Sequence, residues 1–213
     1  MIEIIPRFEF RVFAYNLTVQ TEKLYQWGTV EGREEQEVTY LITADNYNHS
    51  ITVCDGRLSI QYLIQKKNGL EQWRPIFQAG FPLAASELRW ELFTSLNTIA
   101  PHLEYERYDL EPFWTQLIQP HPHIQIVSVV KHRLHFNCDA CRVEASNLWV
   151  NGNPIQTLAI EHEDDEIVQR LRRKLGLEIY ENVSYPLALE HMMDLAPYFV
   201  PSALWSLKED SSA

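Results

Sequence analysis

Charged residues recur at every second position in four stretches of this chain. Arg7, Glu9 and Arg11 form one row, and Lys131, Arg133 and His135 a second. Arg142 and Glu144 form a third, and Glu161 and Glu163 a fourth. A period of two is that of a β-strand, so each stretch reads as a strand with one apolar and one charged face. Such faces either lie against solvent or line a shared polar interior, where opposite charges pair. The second arrangement would do chemistry. Arg and Lys clamp phosphate oxygens, and paired Glu carboxylates hold a hard divalent cation through oxygen.

Other clusters offer less. His132, His135, Cys138 and Cys141 follow one another at three-residue steps, which suggests zinc. In a strand, however, a three-residue step alternates faces, so a hairpin with two cysteines near its turn is the favoured reading. His121 and His123 flank Pro122 in a loop. His162 to Glu166 reads as a strand end running into an acidic helix start, which the helix dipole favours. There is no Gly-rich phosphate loop and no nucleophile elbow. The six Trp read mostly as core.

The elements that must position these residues follow from period and turn signals. Strands are expected over 3–13, 37–43, 50–54, 57–65, 71–79, 124–136, 141–150 and 155–163. Asp55-Gly56, Asn68-Gly69 and Asn151-Gly152 mark tight turns. Helices are expected over 17–27, 86–100 with Ser86 as N-cap, 110–118, 164–175, 185–193 and 202–207. Strands in two blocks with helices between and after them favour an α+β fold over a parallel sheet. The expected division is one domain over 1–213, with a helical insertion about 84–120 and a helical tail about 194–213. The alternative is two lobes about the loose stretch 101–123.

Composition bounds the function. A net charge of −11 argues against nucleic-acid binding, so any basic site is local. No apolar run suits a membrane span. Three cysteines do not make a disulfide framework, and with no leader visible the expected compartment is the cytoplasm.

The ordered motifs resemble a known family, the CYTH-like triphosphate-tunnel proteins. That family opens with a Glu-x-Glu-x-Lys strand, where this chain has Arg7-Phe8-Glu9-Phe10-Arg11. A later Lys-x-Arg strand matches Lys131-His132-Arg133, and a strand carrying Arg and Glu matches Arg142-Val143-Glu144. A Glu-x-Glu strand matches Glu161-His162-Glu163. A Gly-Leu step and a Ser-Tyr helix start match Gly176-Leu177 and Ser184-Tyr185. The resemblance implies an eight-stranded antiparallel sheet, closed or nearly closed into a tunnel or barrel, with flanking helices. It further implies Arg11, Lys131, Arg133 and Arg142 as phosphate-binding candidates, and Glu9, Glu144, Glu161 and Glu163 as ligands for Mg²⁺ or Mn²⁺.

The departures matter as much. Where the family carries cations in its first half, this chain has Thr52, Cys54, Gln61 and Gln78. A charge-assisted hydrogen bond contributes roughly 1.5–3 kcal/mol. Losing three or four at half additivity costs about 3–6 kcal/mol, or roughly 10²- to 10⁴-fold in triphosphate affinity. Lys66, Lys67 or Arg74 could substitute, although a surface role suits them better. The expectation is a tunnel protein with weakened or absent catalysis, binding a phosphorylated ligand or a protein partner. The alternatives are an active metal-dependent phosphohydrolase and a plain structural protein whose charged rows face solvent.

Overall fold

A computed structural model describes residues 6–194. The expected strand start at 3–5, the tail helix at 202–207 and Trp205 lie outside the described residues. Eight long strands hydrogen-bond in a ring: β1 (Phe8–Ala14), β2 (Thr29–Ile42), β3 (His49–Cys54), β4 (Arg57–Lys67), β5 (Leu70–Gly80), β8 (Gln125–Cys138), β9 (Cys141–Val150) and β10 (Asn153–His162). Their order around the ring is β1-β10-β9-β8-β2-β3-β4-β5, returning to β1, and every pairing is antiparallel. A separate two-stranded sheet pairs β6 (Leu83–Ala84) with β7 (Arg107–Tyr108). The α+β reading and the eight-stranded tunnel therefore hold.

Three apolar clusters fix which face of each strand points inward. On the outside of β1, β9 and β10, residues such as Phe10, Val12, Val143 and Ile160 pack under α1 (Thr18–Trp27) and α4 (Asp165–Leu175). α1 stops at Gly28, where a Cβ would sit 3.0 Å from the Asn137 carbonyl oxygen. α4 is capped at Asp164, whose carboxylate accepts the Glu166 N–H at 2.9 Å. It ends at Gly176 in the left-handed conformation, φ 75°, as its C-terminal signal predicts.

On the outside of β3 and β4, Ile51, Val53, Leu58 and Ile60 pack under the insertion. Here the helices differ from expectation. α2 (Ala85–Glu87) opens into a π-helical turn over Leu88–Phe93, and α3 (Leu110–Pro112) into another over Phe113–Ile118. Leu88, Leu92 and Phe93 are buried, as are Phe113, Leu117 and Ile118. Both triplets have the i, i+4, i+5 spacing that a wider turn brings onto one face. Ser86 is not the cap. Ala84 precedes the helix, and its N–H donates to the Glu87 carboxylate at 2.7 Å.

The third cluster lies on the inner face, at one end of the ring. Phe13, Val38, Tyr40, Val129, Leu148 and Ile155 close around Val183 and, from α5 (Tyr185–Asp194), Ala188 and Leu189. The inner face is thus apolar where α5 stoppers it and charged further along the same strands.

β2 begins eight residues earlier than the expected start at 37. Its first part pairs residue by residue with β8, with one irregularity at Val30/Gly32. Cross-strand contacts hold it: Arg133 to Glu34 at 3.4 Å, His132 to Glu35 at 3.9 Å and Asn137 to Glu31 at 3.4 Å. With polar residues on both faces, this segment carries no apolar period.

The Trp expectation is corrected. Trp90 is 68% exposed and Trp27 40%, while Trp73, Trp114 and Trp149 are half-buried. No helix among the described residues is long and apolar enough to cross a membrane.

Candidate functional site

Strand parity brings the four charged rows into one lumen. A cavity of about 740 Å³ is lined by Arg7, Glu9 and Arg11 from β1 and its lead-in, and by Lys131 and Arg133 from β8. Arg142 and Glu144 from β9, and Glu161 and Glu163 at the end of β10, complete that wall. All eight candidate residues therefore face the same space. His135 does not line it. That ring sits beside Glu34, with Nε2 3.4 Å from the carboxylate.

The charges are not equally available. Arg11, 6% exposed, is saturated: Nε donates to Glu9 at 2.9 Å and Nη1 to Glu144 at 3.2 Å, with the Tyr185 ring 4.7 Å away. The register explains the room it has, because its neighbour on β10 is the small Ala159 and the next residue across is Glu144. Burial alone would lower the Arg11 pKa, but Glu9 and Glu144 override it and hold the guanidinium charged. Lys131 donates to the Tyr40 hydroxyl at 2.7 Å and lies 3.8 Å from the Tyr185 ring centre. Burial, aided by Arg133, pushes its pKa well down. Arg133 reaches Glu34 and Glu144, while its buried Nε makes no hydrogen bond to another described residue. Arg7 and Arg142 line the cavity without an ion pair to another described residue.

The carboxylates divide in the same way. Burial would raise Glu144, but Arg11, Arg133 and Lys131 outweigh it and hold its pKa at about 2. Glu161 behaves oppositely. Burial and the neighbouring Glu9 carboxylate, its register partner, push it up to about 7 against the pull of Arg11. A raised carboxylate binds its proton more tightly in the folded chain than in the unfolded one. The stability this confers is present below the ordinary carboxylate range and is lost as pH rises towards about 7. Glu161→Gln is therefore expected to stabilise the fold at pH 8, by about 1–3 kcal/mol, and to give no gain at pH 4. Thermal melts at the two pH values check this. An equal effect at both would contradict it.

The other half of the wall carries no charge. β2 contributes Gln36, Val38 and Tyr40, and β3 contributes Ser50, Thr52 and Cys54. β4 and β5 add Ser59, Gln61, Trp73 and Gln78. Because β2, β3, β4 and β5 are consecutive in the ring, the lumen is split into a charged half and a neutral half. Lys66, Lys67 and Arg74 do not make up the difference. Lys66 pairs with Glu71 at 2.9 Å and Lys67 with Asp165 at 2.8 Å, and none of the three lines the cavity.

The zinc-like cluster also resolves. Cys138 and Cys141 face each other across a hairpin turn as free, buried thiols in the outer core. His132 lies against Trp149, its ring centre 4.6 Å from that of the indole, away from the lumen. Among the described residues, no group of three or more His, Cys, Asp or Glu side chains could hold a metal ion unaided.

Several cavity residues carry little sequence signal. Arg7 is marked by its place in a charged row. Ser50 and Ser59 alternate with Ile51, Leu58 and Ile60 as neutral polar positions, a pattern that could have found them. Nothing marked Tyr185 as the ring over both Arg11 and Lys131.

No family model matches the chain, and no curated protein matches it. Solved structures do. A putative adenylyl cyclase from Hippeastrum, described as having a dominant triphosphatase activity, is 10% identical with a TM-score of 0.49, over 92% of this chain and 98% of that one. The Mimivirus capping enzyme triphosphatase is 10% identical with a TM-score of 0.47, over 83% and 90%. A Pyrococcus horikoshii protein, PH1819, is 18% identical with a TM-score of 0.44, over 86% and 99%. In fold, this chain is similar to these solved structures. Identities this low and TM-scores below 0.5 assign it no activity, and the lumen geometry stands on its own.

Proposed function

We propose that this chain binds a phosphorylated small molecule in its lumen and is a poor catalyst of triphosphate hydrolysis. One observation carries the reading. Thr52, Cys54, Gln61 and Gln78 face the same cavity as the cations, so the positions that would neutralise the far side of a triphosphate are uncharged. Phosphoryl transfer depends on positioning and charge neutralisation, and half of the lumen supplies neither.

Mg²⁺ or Mn²⁺ fits a narrower site than four carboxylates. Glu144 is committed to Arg11 and Arg133, and Glu163 lies exposed. Glu9 is also paired with Arg11, which leaves Glu161 beside it as the carboxylate without an ion pair to another described residue. Mg²⁺ is commonly held by one or two carboxylates, water and the ligand's own phosphate, and Glu161 can supply one such carboxylate. Bound there, the ion would neutralise phosphate charge.

Purified protein with Mg²⁺ or Mn²⁺ is expected to bind phosphate compounds and to release no phosphate from tripolyphosphate above a protein-free control. Release that Glu161→Gln abolishes would overturn this and establish the second reading, an active phosphohydrolase. What favours that alternative is Glu161 standing in one cavity with Arg7 and Arg142, two guanidiniums without an ion pair to another described residue.

A further inference from the structure

The neutral half of the lumen is itself an organised surface. Ser50 is the register partner of Gln61, Thr52 of Ser59, and Ser59 of Gln78. These five side chains form one continuous patch over three adjacent strands. None makes a hydrogen bond to another described residue. Hydroxyl and amide groups each donate and accept, which suits a partner bearing many hydroxyls and offers little to a string of phosphates. The intervening Ile51, Val53, Leu58 and Ile60 are locked into the outer core, so the patch cannot turn away. Across the cavity, the cations without an ion pair to another described residue are Arg7 and Arg142, because Arg11, Lys131 and Arg133 are engaged by Glu9, Glu144, Tyr40 and Glu34.

We propose that the ligand has two parts: one phosphomonoester head at the Arg7–Arg142 wall, and an uncharged sugar- or polyol-like body against the Ser50–Gln61–Ser59–Gln78 patch. This rests on reading the lumen as a phosphate site and deepens it. A cavity of about 740 Å³ lies in the size range that encloses small organic ligands. A linear triphosphate would place its outer groups against amides and hydroxyls that cannot neutralise them. A phosphorylated sugar or polyol matches both walls at once.

Calorimetric titrations with glucose 6-phosphate, myo-inositol 1-phosphate, glucose, inorganic phosphate and tripolyphosphate, each in the presence of Mg²⁺, test this. At least one of the two monoesters is expected to bind about tenfold or more tightly than both inorganic phosphate and tripolyphosphate. Gln61→Leu combined with Ser59→Ala should remove most of that margin and leave inorganic phosphate unchanged, which also shows that the variant is folded. Thr52→Val provides a second, milder probe of the same wall. Arg142→Gln should weaken every phosphate compound. If tripolyphosphate binds tightest, or neither monoester exceeds inorganic phosphate, the two-part ligand is overturned while the phosphate site stands. If no phosphate compound binds, both readings fall.

Discussion

Arg11→Met is expected to cost the fold about 3–5 kcal/mol at pH 7, the largest effect of any single lumen substitution. The reason is what it leaves behind. Arg11 is the common partner of Glu9 and Glu144, whose side chains are 20% and 18% exposed. Removing it leaves Glu9 without an ion pair to another described residue and Glu144 with Arg133 alone, at 3.8 Å, in a ring whose other half lines the cavity with no cation. A buried pair contributes little net stability compared with an apolar replacement of both partners, but stripping one partner is costly because the other charge stays buried. The sign of the pH dependence follows. Glu144, held at about 2, contributes stability that is present above the ordinary carboxylate range and lost as pH falls towards 2. The variant lacks the chief source of that depression, so its deficit against the natural chain should shrink as acid neutralises both states. Urea titrations at pH 7 and pH 3.5 read this directly. A loss below about 1 kcal/mol at pH 7 would mean that water already screens the triad.

Gln61→Lys with Gln78→Lys is expected to raise tripolyphosphate affinity by roughly 10- to 100-fold. Each added charge-assisted hydrogen bond contributes roughly 1.5–3 kcal/mol, and with half realised the pair contributes about 1.5–3 kcal/mol. The lumen should accept the new charges. Their surroundings, Ser50, Ser59 and Pro75 by register, are uncharged, and Glu161 across the cavity is an acid lacking full compensation. If the affinity does not change, Gln61 and Gln78 do not face the ligand.

The charged rows and most strands were legible because a period of two survives even when only one face is apolar. Val127, Val129, Lys131 and Arg133 share a face of β8, apolar near the stopper and charged beyond it. Whether such a face meets water or a lumen was not legible, since a charge is content in either. The ring decides that, and it closes through β2–β8 pairing between segments some hundred residues apart. The first part of β2 is not legible because polar residues occupy both of its faces. The π turns are not legible because i, i+4, i+5 spacing also fits an ordinary helix. The gap in the basic chemistry was visible as Thr52, Cys54, Gln61 and Gln78. That these residues form half of a wall, and not scattered losses, depends on β2 to β5 being neighbours around the ring.

The most direct test is a pair of calorimetric titrations, tripolyphosphate with Mn²⁺ against the natural chain and against the Gln61→Lys/Gln78→Lys variant in the same buffer. A split lumen predicts weak binding to the natural chain and binding at least about tenfold tighter to the variant. Tight binding to the natural chain that the two lysines do not improve would contradict it.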